Sequence, residues 1–440
     1  MVLRMRPPML VLCATVAAAL IATLGFAVRR AASSNDRPEA RPLGVVGARG
    51  VSDWPVWGFT HTDYSADTGP ASGTAATAIA RQPVLQNQHI MGWGAGNPEP
   101  SPGVFDFRTL DQRIAYIRKT GGVPVITLCC APDWMKGGRP GETDWSRLEV
   151  APTPERYRDY AALAAAVARR YPDVRHFAVW NELKGFFDTK GDRWRYEDFT
   201  AFYNAVYDAV KAVDPRIQVG GPYIPMYSFV QGHQSSVRGP WGSIDQRVID
   251  AVDYWLAQKH GADFIAVDGP TASDDRDVYP DEVTALGKLD AIDAWLRSKT
   301  TLPIWWSEYY VEPESLPWAE NKRIAINAAA LIEFARTGVS TVLYWNNEAQ
   351  DARCQGCLWI STLVRTGGAP GGMLTLLQNF ARWFPAGTEL LDLRATDAHV
   401  RVLAQRQRAV VVNVSDRRVA ARVGGAELTL APYEVRWLDR

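Results

Sequence analysis

Two glutamates that lie far apart in the chain each close a short apolar run. Glu182 follows Phe177-Ala178-Val179-Trp180-Asn181, and Glu308 follows Ile304-Trp305-Trp306-Ser307. Runs of this kind are typical of strands buried in a parallel sheet. The carboxyl ends of such strands are where α/β folds place their chemistry. Two neighbouring carboxyl groups do not ionise freely, so one can serve as an acid while the other stays a carboxylate.

The composition is that of an ordinary globular protein with enough apolar residues for a large core. Of 440 residues, 47% are hydrophobic and 22% are charged, and 48 basic residues balance 48 acidic ones. A chain without a positive field is not expected to have nucleic acid as its main partner. The 17 tryptophans and 16 tyrosines are explained mainly by core packing, and the remainder suit a groove in which sugar rings stack on aromatic faces.

Strand-like and helix-like segments alternate from residue 43 onward, as in repeated βα units. Eight strands alternating with helices predict an α/β fold, a (β/α)8 TIM barrel over residues 43–384. The predicted strands are Val56–Thr60, Asn87–Trp93, Val123–Cys129, Arg175–Trp180, Ile217–Gly220, Asp263–Val267, Pro303–Ser307 and Thr341–Trp345. The predicted helices are Thr109–Thr120, Pro154–Arg170, Tyr196–Val213, Gln246–His260, Ala285–Lys299 and Ala319–Thr337.

This barrel would bring the two glutamates together. Strands four and seven lie on opposite sides of an eight-stranded barrel, so Glu182 and Glu308 at their upper ends would face each other across its mouth. On the pleat of strand seven, Ile304, Trp306 and Glu308 share parity, which predicts that all three point inward. Paired carboxyl groups in this arrangement fit cleavage of a glycosidic bond.

The two ends of the chain differ from the barrel. Short alternating strands over residues 385–440 predict a small antiparallel β-sandwich, which the strand Leu43–Val46 is expected to join. A structural appendage is favoured over a separate sugar-binding module. The uncharged run Met9–Val28 is long enough to span a bilayer, so residues 1–30 predict a signal peptide or a membrane anchor. Residues 31–42 predict a flexible linker, and the body is expected outside the cytoplasm.

The motifs Trp180-Asn181-Glu182 and Trp306-Ser307-Glu308 resemble those of retaining glycoside hydrolases of clan A. Within that clan the chain is similar to family 39, which includes β-xylosidases, α-iduronidases and bacterial exopolysaccharide endoglycosidases. The resemblance extends over about Val56 to Leu438. It implies that Glu182 is the general acid/base and Glu308 the nucleophile, and that neither a metal nor a cofactor takes part.

The same resemblance implies roles for the residues around the glutamates. Asn181 would hydrogen-bond a sugar hydroxyl beside the reacting carbon, and Trp345 would form the floor under the sugar before the cleaved bond. Asp268 stands at the end of strand six, where many relatives carry a histidine or a tyrosine. Further candidate substrate contacts, each with core packing as the alternative, are His61, Trp134, Tyr223, Tyr309 and Asn346.

Two cysteines in the loop after strand eight, Cys354 and Cys357, are spaced for a local disulfide in an oxidising compartment, with reduced thiols as the alternative. A zinc site would need further ligands. Cys129 and Cys130 are a poor second pair because adjacent residues rarely chelate one ion together.

The sequence thus predicts a retaining glycoside hydrolase, anchored or secreted, that acts within an exopolysaccharide or wall glycan. The alternative is a glycan-binding or synthase-associated protein with little turnover. Transglycosylation would use the same site with a sugar acceptor in place of water. The sugar, the linkage and the oligomeric state are left open.

Overall fold

The structure is a computed structural model that describes residues 41–47, 56–63, 65–313, 317–346 and 355–440. The apolar run Met9–Val28 and Cys354 lie outside these ranges, so the predicted signal or anchor and the Cys354–Cys357 disulfide stay predictions. Among the helices of the described ranges, none combines the length and the apolar character that a membrane span requires.

Eight parallel strands close into a barrel, which confirms the predicted TIM barrel. In chain order they are β1 (Trp57–Thr60), β2 (Leu85–His89), β3 (Val123–Leu128), β4 (His176–Val179), β5 (Gln218–Pro225), β6 (Phe264–Asp268), β7 (Ile304–Trp306) and β8 (Thr341–Trp345). Each strand pairs with its neighbours in sequence, and β8 pairs with β1. The carboxyl ends of all eight strands therefore open at one face.

Helices lie between and after these strands. They are α1 (Ser72–Ile79), α2 (Arg108–Lys119), α3 (Tyr157–Arg170), α4 (Tyr196–Val213), α5 (Gln246–Gln258), α6 (Glu282–Ala285), α7 (Gly287–Lys299), α8 (Glu320–Thr337) and α9 (Gly372–Trp383). Short 3-10 turns cover Asp133–Lys136, Trp145–Arg147 and Pro154–Arg156. Helix α1 was not predicted, and the segment predicted from Pro154 begins as a 3-10 turn.

The predicted orientation of strand seven is wrong. Trp305 points into the barrel, where its ring stacks on Phe264 with 4.1 Å between ring centroids. Trp306 points outward, packs on Phe334 of α8 and donates a hydrogen bond to Asp293 of α7. Strand β7 ends at Trp306, so pleat alternation no longer sets the direction of Glu308, two residues beyond it.

Two strands differ from their predicted bounds by more than one residue at an end. Strand β2 ends at His89 rather than at Trp93, and β5 continues past Gly220 to Pro225. The sequence Gly220-Gly221-Pro222 reads as a turn, but a Cβ atom on Gly220 would lie 2.2 Å from the ring of Phe264. The glycine therefore serves close packing inside the barrel.

The carboxyl-terminal residues form antiparallel sheets against the barrel. The strands are β9 (Glu389–Leu391), β10 (Val400–Ala404), β11 (Arg408–Asn413), β12 (Val419–Val423), β13 (Ala426–Leu430) and β14 (Val435–Asp439). The strand Pro42–Val45 pairs with β9, and the five-stranded sheet continues through β10, β11 and β14, as expected for the early strand. Leu403 and Val410 pack into the barrel core, while Val402 and Val411 pack under the hairpin β12–β13.

Two small antiparallel sheets lie in the loops that follow β4 and β5. One hairpin joins Phe187–Asp188 to Arg193–Trp194, and a three-stranded sheet joins Arg238–Gly239, Gly242–Ile244 and Ser228–Phe229. Beyond the end of β3, Cys129 and Cys130 form a disulfide with each other, which the sequence did not predict.

Candidate active site

The structure brings Glu182 and Glu308 together at the mouth of the barrel. Each offers one carboxylate oxygen to a cluster that also contains Asp268, and the three oxygens lie within 4.8 Å of one another. Glu308 and Asp268 are buried, and Glu182 is partly exposed. Three strand ends, those of β4, β6 and β7, therefore supply three carboxyl groups to one point.

A tight turn after β4 directs Glu182 toward this point. The φ angles of Trp180, Glu182 and Leu183 are +68°, +49° and +48°, in the left-handed region that residues other than glycine seldom adopt. Trp180 fixes the turn because its buried indole donates a hydrogen bond of 2.9 Å to the carbonyl of Lys184. Such strain held in place by packing is common at functional sites.

Glu308 is surrounded by hydrogen-bond donors. Tyr223, on β5, donates to Oε1 of Glu308 over 2.5 Å, and the amide of Asn181 donates to the same oxygen over 3.1 Å. The hydroxyl of Tyr310 donates to Oε2. Three donors around one buried carboxyl group favour its ionised form, which a nucleophile requires.

Burial and the hydrogen-bond donors have opposite effects on the pKa of Glu308. Desolvation, followed by the charge of Glu182, raises the pKa of Glu308 to about 7, while the hydrogen bonds from Tyr223 and Tyr310 act in the opposite direction. Glu308 therefore titrates higher than a solvent-exposed glutamate, and the two tyrosines limit that rise.

Asp268, unlike Glu308, has no hydrogen-bond donor around its carboxyl group among the described residues. Its side chain is fully buried, and neither oxygen accepts a hydrogen bond from a donor group in the described part of the chain. Burial and the charges of Glu182 and Glu308 raise the pKa of Asp268 well above its usual range. A hydrogen bond between the side chains of Asp268 and Glu182 also raises the pKa of Asp268. Two carboxyl groups can form such a bond only when one of them holds a proton.

Lys184 lies on the solvent side of Glu182. Its Nζ atom is 3.1 Å from Oε2 of Glu182 and 2.7 Å from Oε1 of Glu149. The same ammonium group lies 5.2 Å from the centre of the Trp93 ring, within reach of a cation–π interaction. Lys184 thus connects Glu182 to the rim of the site.

Aromatic side chains form one wall of the site. The ring of Trp93 lies 4.4 Å from His89 and 6.4 Å from Trp345, measured between centroids. His89 is fully buried, and neither of its ring nitrogens has a hydrogen-bond partner among the described residues. Beyond Trp93, a cleft of about 930 Å³ continues past Leu148, Glu149 and the half-exposed Trp145.

Tyr310, to which the sequence assigned no role, takes the place at the site that was expected for Tyr309. Tyr309, predicted as a substrate contact, is buried against Phe334 and Tyr344 on the outer side of the barrel. The next residue, Tyr310, binds Glu308. The prediction missed by one position because the chain leaves β geometry after Trp306.

Three further predicted contacts are internal. His61 is fully buried, with its ring nitrogens hydrogen-bonded to Ser65 and, over 2.8 Å, to Gln86. Trp134 is buried and donates to the carbonyl of Glu99. Asn346 is buried and accepts a hydrogen bond from the backbone of Leu358. These hydrogen bonds lie within the protein and favour the packing alternative for the three residues, whose role as substrate contacts stays a prediction.

The remaining predicted residues do lie at the site. Asn181 and Tyr223 bind Glu308, Asp268 adjoins both glutamates, and Trp345 belongs to the aromatic wall. Sequence reasoning missed His89, Trp93, Lys184 and Tyr310. His89 lies within a predicted strand and Trp93 ends it, while Lys184 and Tyr310 each lie two residues after a catalytic candidate, but no spacing rule separated them from their neighbours.

Glu182, Asp268 and Glu308 form the group of described residues whose spacing suits a metal ion. Two of these carboxyl groups already have other partners. Hydroxyl and amide donors surround Glu308, and an ammonium group meets Glu182. Hydrogen-bond donors around these carboxyl groups are therefore those expected of a site that transfers protons.

The match to known proteins is structural. No family model and no curated protein sequence matches this chain. A GH39 β-xylosidase from Caulobacter crescentus superposes with a TM-score of 0.53 at 17% identity, over 84% of this chain and 79% of that one. The bacterial orthologue of human α-L-iduronidase gives 0.56 at 14% identity, over 87% and 65%. An endo-β-1,4-mannanase from Thermotoga petrophila gives 0.52 at 16% identity, over 89% and 93%.

Likeness at these identities establishes the fold. The chain has the closed eight-stranded barrel of GH39 β-xylosidases and of other clan A glycosidases, so the resemblance is confirmed at the level of fold. A shared barrel does not by itself assign a reaction.

Proposed function

We propose that this protein is a retaining glycoside hydrolase that cleaves O-glycosidic bonds by double displacement. The observation that carries the proposal is the approach of Glu182 and Glu308, whose carboxylate oxygens lie within 4.8 Å at the ends of β4 and β7. Retaining enzymes hold the two carboxyl groups about 5–5.5 Å apart, whereas inverting enzymes need roughly 6.5–9.5 Å to admit water between them.

The surroundings of each glutamate support a division of roles. Glu308 has three donors that favour its carboxylate form, so it attacks the anomeric carbon. Glu182 is partly exposed, whereas Glu308 is buried, so Glu182 is assigned the protonation of the departing oxygen. In the second step Glu182 takes a proton from water, which releases the sugar from Glu308.

The proposed substrate is a polysaccharide outside the cytoplasm, an exopolysaccharide or a wall glycan. The cleft beyond Trp93, of about 930 Å³, has a volume typical of ligand-binding sites, and Trp145 presents an exposed aromatic face in it. The extracytoplasmic location rests on the apolar run Met9–Val28 in the sequence. Endo cleavage is proposed because aromatic-rich loops at the mouth of the barrel suit a polymer better than a small disaccharide.

The test is hydrolysis of a panel of polysaccharides by the full chain, with product sizes and anomeric configuration followed by NMR. Retention at the anomeric carbon and products of intermediate length are expected. Inversion would exclude double displacement, and release of monosaccharides alone would exclude endo action. Longer products in place of hydrolysis would indicate transglycosylation.

Variants Glu182→Ala and Glu308→Ala are the controls. If the wild type and both variants bind glycan equally and none cleaves it, the protein is a glycan-binding protein with little turnover instead.

A further inference from the structure

Asp268 is a buried carboxyl group for which the two-glutamate reaction has no assigned use. It ends β6, none of its surface is exposed, and neither of its oxygens receives a hydrogen bond from a donor in the described residues. An ionised carboxylate without donors is costly in such a place. Its environment therefore favours the neutral acid.

Charged and titratable groups approach Asp268 from several elements of the barrel. They are Glu182 and Lys184 after β4, Tyr223 on β5, Tyr227 after β5, Glu308 and Tyr310 after β7, and Lys288 on α7. The Nζ atom of Lys288 donates to the carbonyl of Pro270 over 2.6 Å, and Lys184 pairs with Glu182 and Glu149. Neither ammonium group forms an ion pair with Asp268.

Glu308 and Asp268 differ sharply in their donors, although both are buried. Glu308 accepts hydrogen bonds from two hydroxyl groups and one amide, as suits a carboxylate. Asp268 has as its neighbours two other carboxyl groups, those of Glu182 and Glu308, within 4.8 Å. Because both oxygens of Glu308 are already occupied by donors, Glu182 is the acceptor that remains for a proton on Asp268.

We infer that Asp268 remains a neutral carboxylic acid through the reaction and donates a hydrogen bond to Glu182, as a positioning residue for the acid/base step. This inference rests on the proposed function and deepens it.

The proton balance of the two steps is unchanged by this role. When Glu182 gives its proton to the departing oxygen, the O–H of Asp268 points at the carboxylate that forms. When Glu182 later takes a proton from water, the same hydrogen bond weakens again. Asp268 keeps its own proton throughout, so it acts as a preorganised donor aimed at developing charge.

Infrared spectroscopy of the full chain tests the protonation directly. At neutral pH the wild type is expected to show the C=O band of a protonated carboxyl group, and this band should be lost in Asp268→Asn. Asp293→Asn is the matched control. Asp293 is also fully buried, but it accepts hydrogen bonds from Trp306 and Thr337, and burial raises its pKa only to about 6.

The hydrogen bond to Glu182 has its own signature. In Glu182→Ala the band of Asp268 should move to higher frequency, because the C=O of a carboxylic acid stiffens when its O–H loses an acceptor. A spectrum in which Asp268→Asn removes no protonated carboxyl band would overturn the inference. So would a band that does not respond to Glu182→Ala.

Kinetics separate positioning from a structural role. For substrates with poor leaving groups, Asp268→Ala should lower kcat/KM about 100-fold, the typical effect of removing one donor aimed at developing charge. Asp268→Asn keeps a neutral donor and should lose less than about tenfold. For activated aryl glycosides, whose departure needs no proton, both variants should stay within about tenfold of the wild type.

Equal losses for both leaving-group classes would mark a structural role and overturn the inference. A loss in Asp268→Asn as large as in Asp268→Ala would show that a neutral donor at this position does not preserve the reaction, with the same consequence. If the wild type cleaves no glycan, the proposed function fails and the role beside Glu182 fails with it. The infrared spectra then still decide whether Asp268 holds a proton.

Discussion

The hydroxyl of Tyr223 lies 2.5 Å from Oε1 of Glu308, so a residue on the fifth barrel strand stabilises the carboxylate form of a group beyond the seventh. Tyr310 binds the other oxygen of the same group. Because both tyrosines stabilise the carboxylate, they oppose the rise in pKa that burial causes.

Removing either hydroxyl should therefore move the pH profile. In Tyr223→Phe and Tyr310→Phe, the pKa of Glu308 rises above its present value of about 7. Since the reaction needs Glu308 ionised, the acidic limb of kcat/KM against pH should shift to higher pH. Tyr309→Phe is the matched control because its ring packs against Phe334 on the outer side of the barrel. An acidic limb that stays in place in the first two variants would contradict the assignment.

The two glutamates should respond differently to the leaving group. Glu182→Ala should lower kcat/KM by about 10²–10⁴-fold for substrates whose leaving group needs a proton. It should spare activated aryl glycosides, because their departure needs no acid. Glu308→Ala should abolish turnover of both substrate classes, since it removes the attacking atom. If Glu308→Ala spared the activated substrates and Glu182→Ala did not, the roles would be reversed.

A buried ion pair beside the mouth of the barrel should be important for stability. The Nε atom of Arg113 lies 2.5 Å from Asp67, with both side chains almost fully buried, and its guanidinium also donates to Gln88 and to the carbonyl of Thr62. Arg113→Ala should reduce the free energy of unfolding by about 3–5 kcal/mol, because it leaves a buried charge unpaired.

The control for this prediction is an exposed ion pair made by another arginine of the same helix, α2. Arg118 and Asp173 form an ion pair with about half of each side chain exposed, so Arg118→Ala should cost about 0–1 kcal/mol. Chemical denaturation of the two variants provides the comparison. Similar losses in both would mean that burial does not decide the cost.

Asp293 should make stability depend on pH. Burial raises its pKa from 3.8 to about 6 despite donors at Trp306 and Thr337. A raised pKa means that the fold favours the protonated form. The stabilisation is complete below the unfolded-state pKa and is lost as pH rises to about 6.

The size of this effect follows from the shift. Between about pH 4 and 6 the wild type should lose about 3 kcal/mol of unfolding free energy relative to Asp293→Asn, at 1.36 kcal/mol per pKa unit. Denaturation of both proteins across this range measures the difference. Parallel pH curves for the two proteins would rule out the contribution of Asp293.

Local sequence determined the barrel and the position of its two glutamates. Apolar runs of strand length, alternating with helical segments, fix the βα units because burial on both faces of a parallel strand demands such runs. Glu182 and Glu308 stand where those runs end, and the closure of eight strands brings their carboxyl groups within 4.8 Å.

Only the tertiary structure decided which neighbours face them. Beyond the end of a strand, loop backbone angles replace the two-residue alternation, so Tyr310 rather than Tyr309 meets Glu308 and Trp305 rather than Trp306 lies inside. The protonation of Asp268 is likewise set by side chains from other strands. Burial and charge act through space, and chain order does not encode which distant groups will share one cavity.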